Sequence, residues 1–195
     1  MNESTFEDRI GYAFQDPSLL GKALTHSSAT NEADNGSSQN NERLEFLGDA
    51  IFDAIISEYL YNRMSQVEEG QLSKLRALVV CERSLAECGK RLGISEELRL
   101  GRGEELNGGR NRPSILADAM EAVIGAIYLD GGFDSATSFV LSVFKKTIEK
   151  ALSGMLYRDY KTELQEFLQA RKEVEIHYHV DREEGPDHDK TFYVS

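Results

Sequence analysis

Four carboxylates recur along one largely apolar segment, residues 40–61, at spacings that bring them together on a helix. At about 100° per residue, Glu42, Glu45, Asp49 and Asp53 fall within an arc of about 80°. Clustered carboxylates repel one another and are costly to bury unless cations pair with them. Hard divalent cations take such oxygen ligands, so this arc is a candidate metal-binding surface.

The side of this helix opposite the acids carries the predicted core stripe. Its members are Leu44, Leu47, Ile51 and Ile55. The acidic arc is either a charged face exposed to solvent or the wall of a cleft. No Lys or Arg falls within the arc to support the acids at i,i+4 spacing. Phe46 and Ile56 flank it with apolar bulk, which favours a cleft wall with a contact surface.

A second acidic pair lies in SILADAMEAVIGAIYLD, residues 114–130, where Asp118 and Glu121 share one face of an otherwise apolar helix. Such a helix is predicted to be buried, so its carboxylates need partners. Divalent cations would satisfy both helices at once, whereas a di-iron site is disfavoured because Glu-x-x-His pairs are absent. Mg²⁺ held by a few carboxylates completes its shell with water and substrate phosphates, which indicates phosphoryl-transfer chemistry.

Helical patterns dominate residues 1–155. The predicted helices cover residues 18–26, 40–61, 71–80, 81–93, 115–132 and 133–152. Pro17 suits a first helical turn, Gly70 is predicted to interrupt the chain, and Gly93 is predicted to end a helix. Ser114 is the predicted N-cap of the helix that stops at Gly131 and Gly132. Residues 33–41 and 101–114 are predicted to be loops.

The helical periodicity gives way to a mixed helix and strand pattern after residue 158. Residues 160–172 predict one short helix, and residues 174–195 predict two strands joined by a polar turn. One helix and two strands with an open edge bury little apolar surface. The sequence therefore predicts an all-helical domain at 1–155, followed by an incomplete α+β domain at 159–195.

Composition and charge restrict the class of protein and the cellular compartment that can be expected. The 195 residues are 40% hydrophobic and 29% charged, and no apolar run approaches the roughly 20 residues of a membrane span. No signal peptide is recognised, and Cys81 and Cys88 are interpreted as packing residues, so a reducing cytoplasm is expected. The net charge of −12 argues against a general electrostatic grip on nucleic acid.

Several segments in register resemble ribonuclease III, an endonuclease specific for double-stranded RNA. They are NERLEFLGDA at 41–50, ALTHSSA at 23–29, EGQLSKLRA at 69–77, LRLGRGEELNGGRNRPSILADAMEAVIGAIYLDGG at 98–132 and YKTELQEFLQ at 160–169. The last is similar to the start of a double-stranded-RNA-binding domain. The resemblance implies a mainly α fold, with a nuclease domain and an incomplete RNA-binding domain whose remaining strand and basic helix are absent after Ser195.

The resemblance also implies roles for particular residues. Glu45, Asp49, Asp118 and Glu121 match the family's metal-binding set, with Asp49 and Glu121 catalytic. Glu42 and Glu69 match further acids of the cleft, and Phe46 matches an apolar residue that inserts into a partner subunit. Asp53 matches no catalytic acid and is expected to be an exposed helix residue. The implied cofactor is Mg²⁺, with Mn²⁺ as a substitute.

The RNA-binding candidates form a weaker set, and each has an ordinary alternative as a capping or solvated residue. They are His26, Lys74, Arg76, Arg110, Arg112 and Gln165. Because the chain is acidic and the RNA-binding domain incomplete, RNA binding is expected to be weak and strongly dependent on Mg²⁺.

The resemblance implies Mg²⁺-dependent hydrolysis of double-stranded RNA to 5′-phosphate and 3′-hydroxyl ends by a homodimer. Ribosomal RNA precursors and structured messages are the expected substrates, and no membrane association is expected. Two alternatives stay open. One is a protein of the same fold that binds RNA without cutting it, and the other is a structural dimer whose acids bind metal only for stability.

Overall fold

The computed structural model describes residues 5–33, 39–154, 179–184 and 190–194. Within these ranges the helices are α1 Phe6–Ile10, α2 Pro17–Ala23, α3 Ser27–Ala33, α4 Glu42–Arg63, α5 Glu69–Val80, α6 Glu82–Leu92, α7 Ile94–Glu97, α8 Arg102–Leu106, α9 Pro113–Val143 and α10 Lys145–Leu152. A 3-10 helix covers Gly109–Asn111. No helix in the described ranges is both long enough and apolar enough to cross a membrane.

The mainly α fold class is confirmed, and the chain divides into two compact units, Met1–Leu156 and Tyr157–Ser195. In the second unit, β1 Val180–Glu184 pairs antiparallel with β2 Thr191–Val194. The predicted helix at 160–172 and the start of the first predicted strand lie outside the described residues. The predicted domain boundaries at 155 and 159 stay predictions.

Helix α9 is the centre of the first unit and packs against α2, α4 and α6. Its side chains from Ile115 to Ile127 are buried, with the exceptions of Asp118 and Glu121, which are half-buried. This confirms that the acidic pair sits on a buried helix. The predicted stop at the double glycine corresponds to a kink, because Gly132 has a left-handed φ of 79° that a helix cannot contain.

The buried face of α4 differs from the predicted stripe. Its buried residues are Leu44, Gly48, Phe52, Ile55, Ile56 and Leu60. Leu47 and Ile51, predicted for the core, are only half-buried, whereas Ile56, predicted to flank the acids on a contact surface, is fully buried. The predicted stripe was therefore right at Leu44 and Ile55 and wrong at Leu47 and Ile51. Helix α9 packs on the side of α4 that carries Gly48, so the acids lie along the margin of the core and not opposite to it.

Four local predictions were also wrong. The helix after Pro17 ends at Ala23 rather than at residue 26, and a separate helix starts at Ser27. Gly70 lies within the first turn of α5 and does not interrupt it. The predicted loop 101–114 contains α8 and the 3-10 helix. Helix α9 begins at Pro113, whose fixed φ suits a first turn, so Ser114 is not its N-cap.

The crossing of α4 and α9 depends on two facing glycines. A Cβ added to Gly48 would overlap the carbonyl oxygen of Glu121, and one added to Gly125 would overlap the carbonyl oxygen of Leu44. Both obstacles are backbone atoms in helices, which cannot rotate away as a flexible side chain can. Glycine at both positions therefore allows the two backbones into direct contact.

We expect Gly48→Ala to lower the free energy of unfolding by about 3 kcal/mol, because overpacking a rigid helix contact forces the backbones apart. Gly70→Ala is the matched control. A Cβ at Gly70 meets nothing within 4 Å, so this change should be neutral or stabilise the protein by up to about 1 kcal/mol through helix propensity. Urea unfolding followed by circular dichroism measures both. Equal midpoints for the two variants would contradict the proposed role of the glycine contact.

Candidate metal centre

The α4–α9 crossing brings three carboxylates together. Glu45 extends from α4, about one turn before Gly48. Asp118 and Glu121 extend from α9, about two turns and one turn before Gly125, respectively. One carboxylate oxygen from each of the three lies within 4.8 Å of the other two. The three side chains are half-buried. The structure therefore joins the two acidic segments that the sequence analysis treated separately.

Burial and mutual repulsion make this cluster unfavourable when all its members are ionised. The pKa of Glu121 is raised to about 8. Burial is the largest cause, followed by the negative charges of Asp49, Glu45, Asp118 and Asp53. Burial, followed by Asp118, Glu42 and Asp49, also raises the pKa of Glu45. The side chain of Glu121 therefore holds a proton at neutral pH in the absence of a cation.

Asp49 and Glu42 lie beside the cluster and are exposed. Asp49 does not belong to the tight group of three, although its charge acts on both Glu45 and Glu121. Glu42 is held at the start of α4, where the Asn40 side-chain amide donates to its carboxylate over 3.3 Å. The metal-ligand assignments of these residues stay predictions.

Asp53 was expected to be exposed, and this is wrong. It is half-buried, and its Oδ1 atom is fully buried without a hydrogen-bond partner. Its charge contributes to the raised pKa of Glu121. Ile56, three residues further along α4, is fully buried, so the core face of α4 extends to this end of the acidic arc.

The donor set fits a divalent cation. The three clustered residues offer only carboxylate oxygens, the ligands that Mg²⁺ and Mn²⁺ take. No side chain of the described residues donates a hydrogen bond to Glu45, Asp118 or Glu121, and none forms an ion pair with them. A bound cation would neutralise the mutual repulsion that raises the pKa values of these groups.

His26 lies near the cluster and is fixed in orientation. The Ser28 backbone N–H donates to His26 Nδ1 over 3.2 Å, and the Ser28 hydroxyl lies 2.8 Å from the same atom. Because Nδ1 is an acceptor, the neutral ring carries its proton on Nε2. Burial raises the pKa of Asp118, and the nearby His26 opposes this rise. The expected contact of His26 with RNA stays a prediction.

Glu69 faces a different region from the three clustered acids. It is exposed at the start of α5, accepts a hydrogen bond from the Ser73 hydroxyl at 2.7 Å, and lines a hollow of about 400 Å³ between α4 and α5. Arg76 lines the same hollow and donates to the Ser57 hydroxyl over 3.0 Å. Lys74 is exposed on α5. Their predicted roles at the cleft or on RNA are not tested by this geometry.

The two arginines of the segment 101–114 are engaged within the protein. Arg110 pairs with Glu105 at 2.5 Å and also donates to the Ser95 and Leu98 carbonyls. Arg112 pairs with Glu104 at 2.7 Å. These contacts hold the segment against α7, so a phosphate would have to compete with them. Gln165 lies outside the described residues.

Phe46 is 81% exposed on α4, beside the acidic arc. An aromatic ring this exposed buries little of its surface within its own subunit. This position is compatible with the predicted contact to a partner subunit, which stays a prediction.

Gly48 and Gly125 were not singled out from the sequence, although both position the cluster. The available signal was an isolated glycine inside each of two helical patterns, a feature that marks close backbone approach. Each glycine also lies about one helical turn after an acid, on the same face of its helix.

Comparison with known proteins agrees with this geometry. Residues 16–148 match the family model described as Ribonuclease-III-like. The chain belongs to the ribonuclease III family. It is 52% identical over 186 residues to ribonuclease 3 of Caldanaerobacter subterraneus subsp. tengcongensis, covering 95% of this chain and 81% of that protein. It is also 49% identical to ribonuclease 3 of Clostridium acetobutylicum over 189 residues, covering 97% of this chain and 81% of that protein.

A solved structure supports the same assignment. The nuclease domain of Campylobacter jejuni ribonuclease III, in which a region involved in dimer formation is flexible, is similar with a TM-score of 0.68 and 44% identity. The similarity covers 73% of this chain and 95% of that domain. The chain is therefore an endoribonuclease of the ribonuclease III type, and the expected action on double-stranded RNA is confirmed at the level of the family. This family consists of metal-dependent nucleases.

Without divalent cations, we expect the stability of this ribonuclease III chain to fall as pH rises from about 4.5 to about 8. The folded state holds the Glu121 proton up to a pKa of about 8, against 4.5 as the ordinary value. The folded state therefore binds more protons than the unfolded state across this interval, so raising the pH favours unfolding. Thermal unfolding in EDTA across this pH range measures the effect.

Glu121→Gln should reduce this pH dependence and raise the melting temperature at pH 8.5 in EDTA, because the amide cannot ionise. Glu149→Gln, at an exposed site on α10, is the charge-matched control and should behave as the wild type does. Parallel curves for wild type and Glu121→Gln from pH 4.5 to 8.5 would contradict the assigned protonation.

Proposed function

We propose that Glu45, Asp118 and Glu121, with Asp49 beside them, bind Mg²⁺ and thereby support cleavage of double-stranded RNA. The observation that carries this proposal is the convergence of three half-buried carboxylates from two helices within 4.8 Å, without any basic partner among the described residues. Mn²⁺, which takes the same oxygen ligands, is expected to substitute.

The chain's own residues contribute position and charge. Glu45, Asp118 and Glu121 present oxygens from a rigid helix crossing, and Glu121 must lose its proton when the site is loaded. A bound divalent cation lowers the pKa of a coordinated water and stabilises charge on the phosphoryl and leaving 3′ oxygens. Asp49, exposed at the edge of the cluster, is placed to orient a water or a hydroxyl of the substrate. The expected products carry 5′-phosphate and 3′-hydroxyl ends.

We also infer that the enzyme acts as a homodimer in which Phe46 contacts the partner subunit. The support is the exposed ring beside the acids, together with the dimer formation named for the Campylobacter jejuni nuclease domain. A dimer would place two acidic sites on one duplex, one for each strand. Ribosomal RNA precursors and structured messages are the proposed substrates, and the cytoplasm is the proposed setting.

Asp49→Asn or Glu121→Gln should reduce Mg²⁺-dependent cleavage of a long RNA duplex by about a hundredfold to a thousandfold, the range observed when one group that stabilises a transition state is removed. Glu149→Gln is the control and should retain full activity. Product formation on denaturing gels, with Mg²⁺ and then with EDTA, gives the rates.

Circular dichroism and duplex binding in EDTA check that the two variants fold and still bind RNA. Full activity of either variant in Mg²⁺ would remove the proposed mechanism. A wild type that binds duplex but does not cut it would support the alternative of an RNA-binding protein on this fold.

Phe46→Ala should weaken the dimer by about 2–4 kcal/mol, because a large exposed aromatic ring is a typical interface anchor. Leu106→Ala is the matched control, since Leu106 is 79% exposed on α8 and is also apolar. Sedimentation velocity at micromolar concentration measures the dissociation constant. A monomeric wild type under these conditions would contradict the dimer.

A further inference from the structure

A basic cleft lies outside the metal centre, between α2, the start of α3 and the chain at Arg99. It has a volume of about 740 Å³, and its lining includes Lys22, Arg99, Ser18, Thr25 and Gln39. None of the described residues that line it is acidic. This composition is unusual for a chain with a net charge of −12. We refer to it below as the Lys22–Arg99 cleft.

The two cations of the Lys22–Arg99 cleft have no side-chain partner among the residues that the structure describes. Arg9, Arg110 and Arg112 each pair with a carboxylate at 2.7 Å or less. Lys22 and Arg99, in contrast, take part in no ion pair or side-chain hydrogen bond within the described structure. Unpaired cations at a concave surface raise the local potential and attract anions.

The backbone holds Arg99 rigidly over α2. The Arg99 N–H donates to the Leu24 carbonyl at 2.8 Å, and the His26 N–H donates to the Arg99 carbonyl at 3.0 Å. A Cβ on Gly21 would lie 3.9 Å from Arg99 Nη1, so the guanidinium rests over Gly21, next to Lys22 in the chain. Both charges are therefore presented from fixed backbone rather than from a free loop.

The cleft adjoins the metal centre. Thr25 lines the cleft, and the next residue, His26, lies within electrostatic reach of Asp118. A polyanion that reaches the acidic cluster must be attracted by other means than the cluster itself, which repels it in the absence of a cation. An adjacent pair of unpaired cations, with hydroxyl and amide groups around them, supplies that attraction. Phosphate oxygens accept hydrogen bonds from such a set.

We propose that the Lys22–Arg99 cleft binds a backbone phosphate of the duplex RNA substrate, away from the bond that is cut. This inference rests on the proposed function and adds a positioning site to it. Contacts of this kind carry no sequence information but fix the register of the duplex on the enzyme. The cleft therefore contributes to binding rather than to the chemical step.

The test compares Lys22→Gln/Arg99→Gln with the charge-matched control Lys145→Gln/Lys146→Gln, whose lysines are exposed on α10. Duplex binding is measured in EDTA from 50 to 200 mM salt, and cleavage kinetics are measured in Mg²⁺. The cleft variant should bind duplex about tenfold more weakly, and the magnitude of its slope of log K against log salt should fall by about 1, as expected for one lost phosphate contact. Its KM should rise about tenfold with kcat nearly unchanged. The control should stay within about twofold of the wild type for binding and KM.

Two further measurements test whether the effect depends on charge at Arg99 and on phosphate binding in the cleft. Arg99→Lys retains the charge and should recover most of the binding lost in a single Arg99→Gln variant. Inorganic phosphate should compete with duplex for the wild type better than equal ionic strength of chloride does, and this difference should disappear in the cleft variant. A difference that persists in the cleft variant would place the phosphate contact elsewhere and overturn the proposal.

Equal binding and salt slope for the cleft variant and the control would also overturn it, as would a loss of kcat with unchanged KM. A wild type that fails to cleave duplex RNA is a separate outcome, because it contradicts the proposed function whatever the cleft binds. Melting temperatures that match the wild type show that the variants fold.

Discussion

The direct contact between the α4 and α9 backbones is the constraint on which the rest of the first unit depends. Gly48 rests against the carbonyl of Glu121, and Gly125 rests against the carbonyl of Leu44. This contact sets the separation of the two helices and therefore the distance between their acids. The buried face of α4 reaches the acids, since Ile56 and one Asp53 oxygen are buried.

The contact has an electrostatic cost that is connected with function. The acids at the margin of the core are partly removed from solvent and lie close to one another. Both effects disfavour ionisation, so the pKa of Glu121 reaches about 8. A fold selected only for stability would avoid this arrangement. A bound cation would relieve this repulsion, so the geometry that destabilises the metal-free protein is the same geometry that the proposed metal site requires.

Cations are distributed unevenly over the described surface. The segment 101–114 uses Arg110 and Arg112 to hold itself in place through Glu105 and Glu104. Its glycines and arginines suggested a flexible loop with phosphate ligands, but its short helices and internal ion pairs give it a structural role. Lys22 and Arg99 form no comparable ion pair with any residue in the described ranges. If the Lys22–Arg99 cleft binds RNA as proposed, a few cations beside the acidic cluster have more effect on RNA binding than the net charge of −12 indicates.

The sequence alone determined the fold class, the family and the acids of the two helical segments, because helical periodicity and motif spacing are local properties of the chain. It also determined that Gly93 ends α6 and that Gly132 breaks the regular course of α9. The tertiary structure alone decided which face of α4 is buried, because the closest packing partner, not the average apolar direction, defines the core. The assembly of Glu45 with Asp118 and Glu121 required that same contact, since they are 73 and 76 residues apart in the chain. The pairing of arginines with distant or neighbouring carboxylates was likewise decided by packing, because the sequence shows a charge but not what lies across from it.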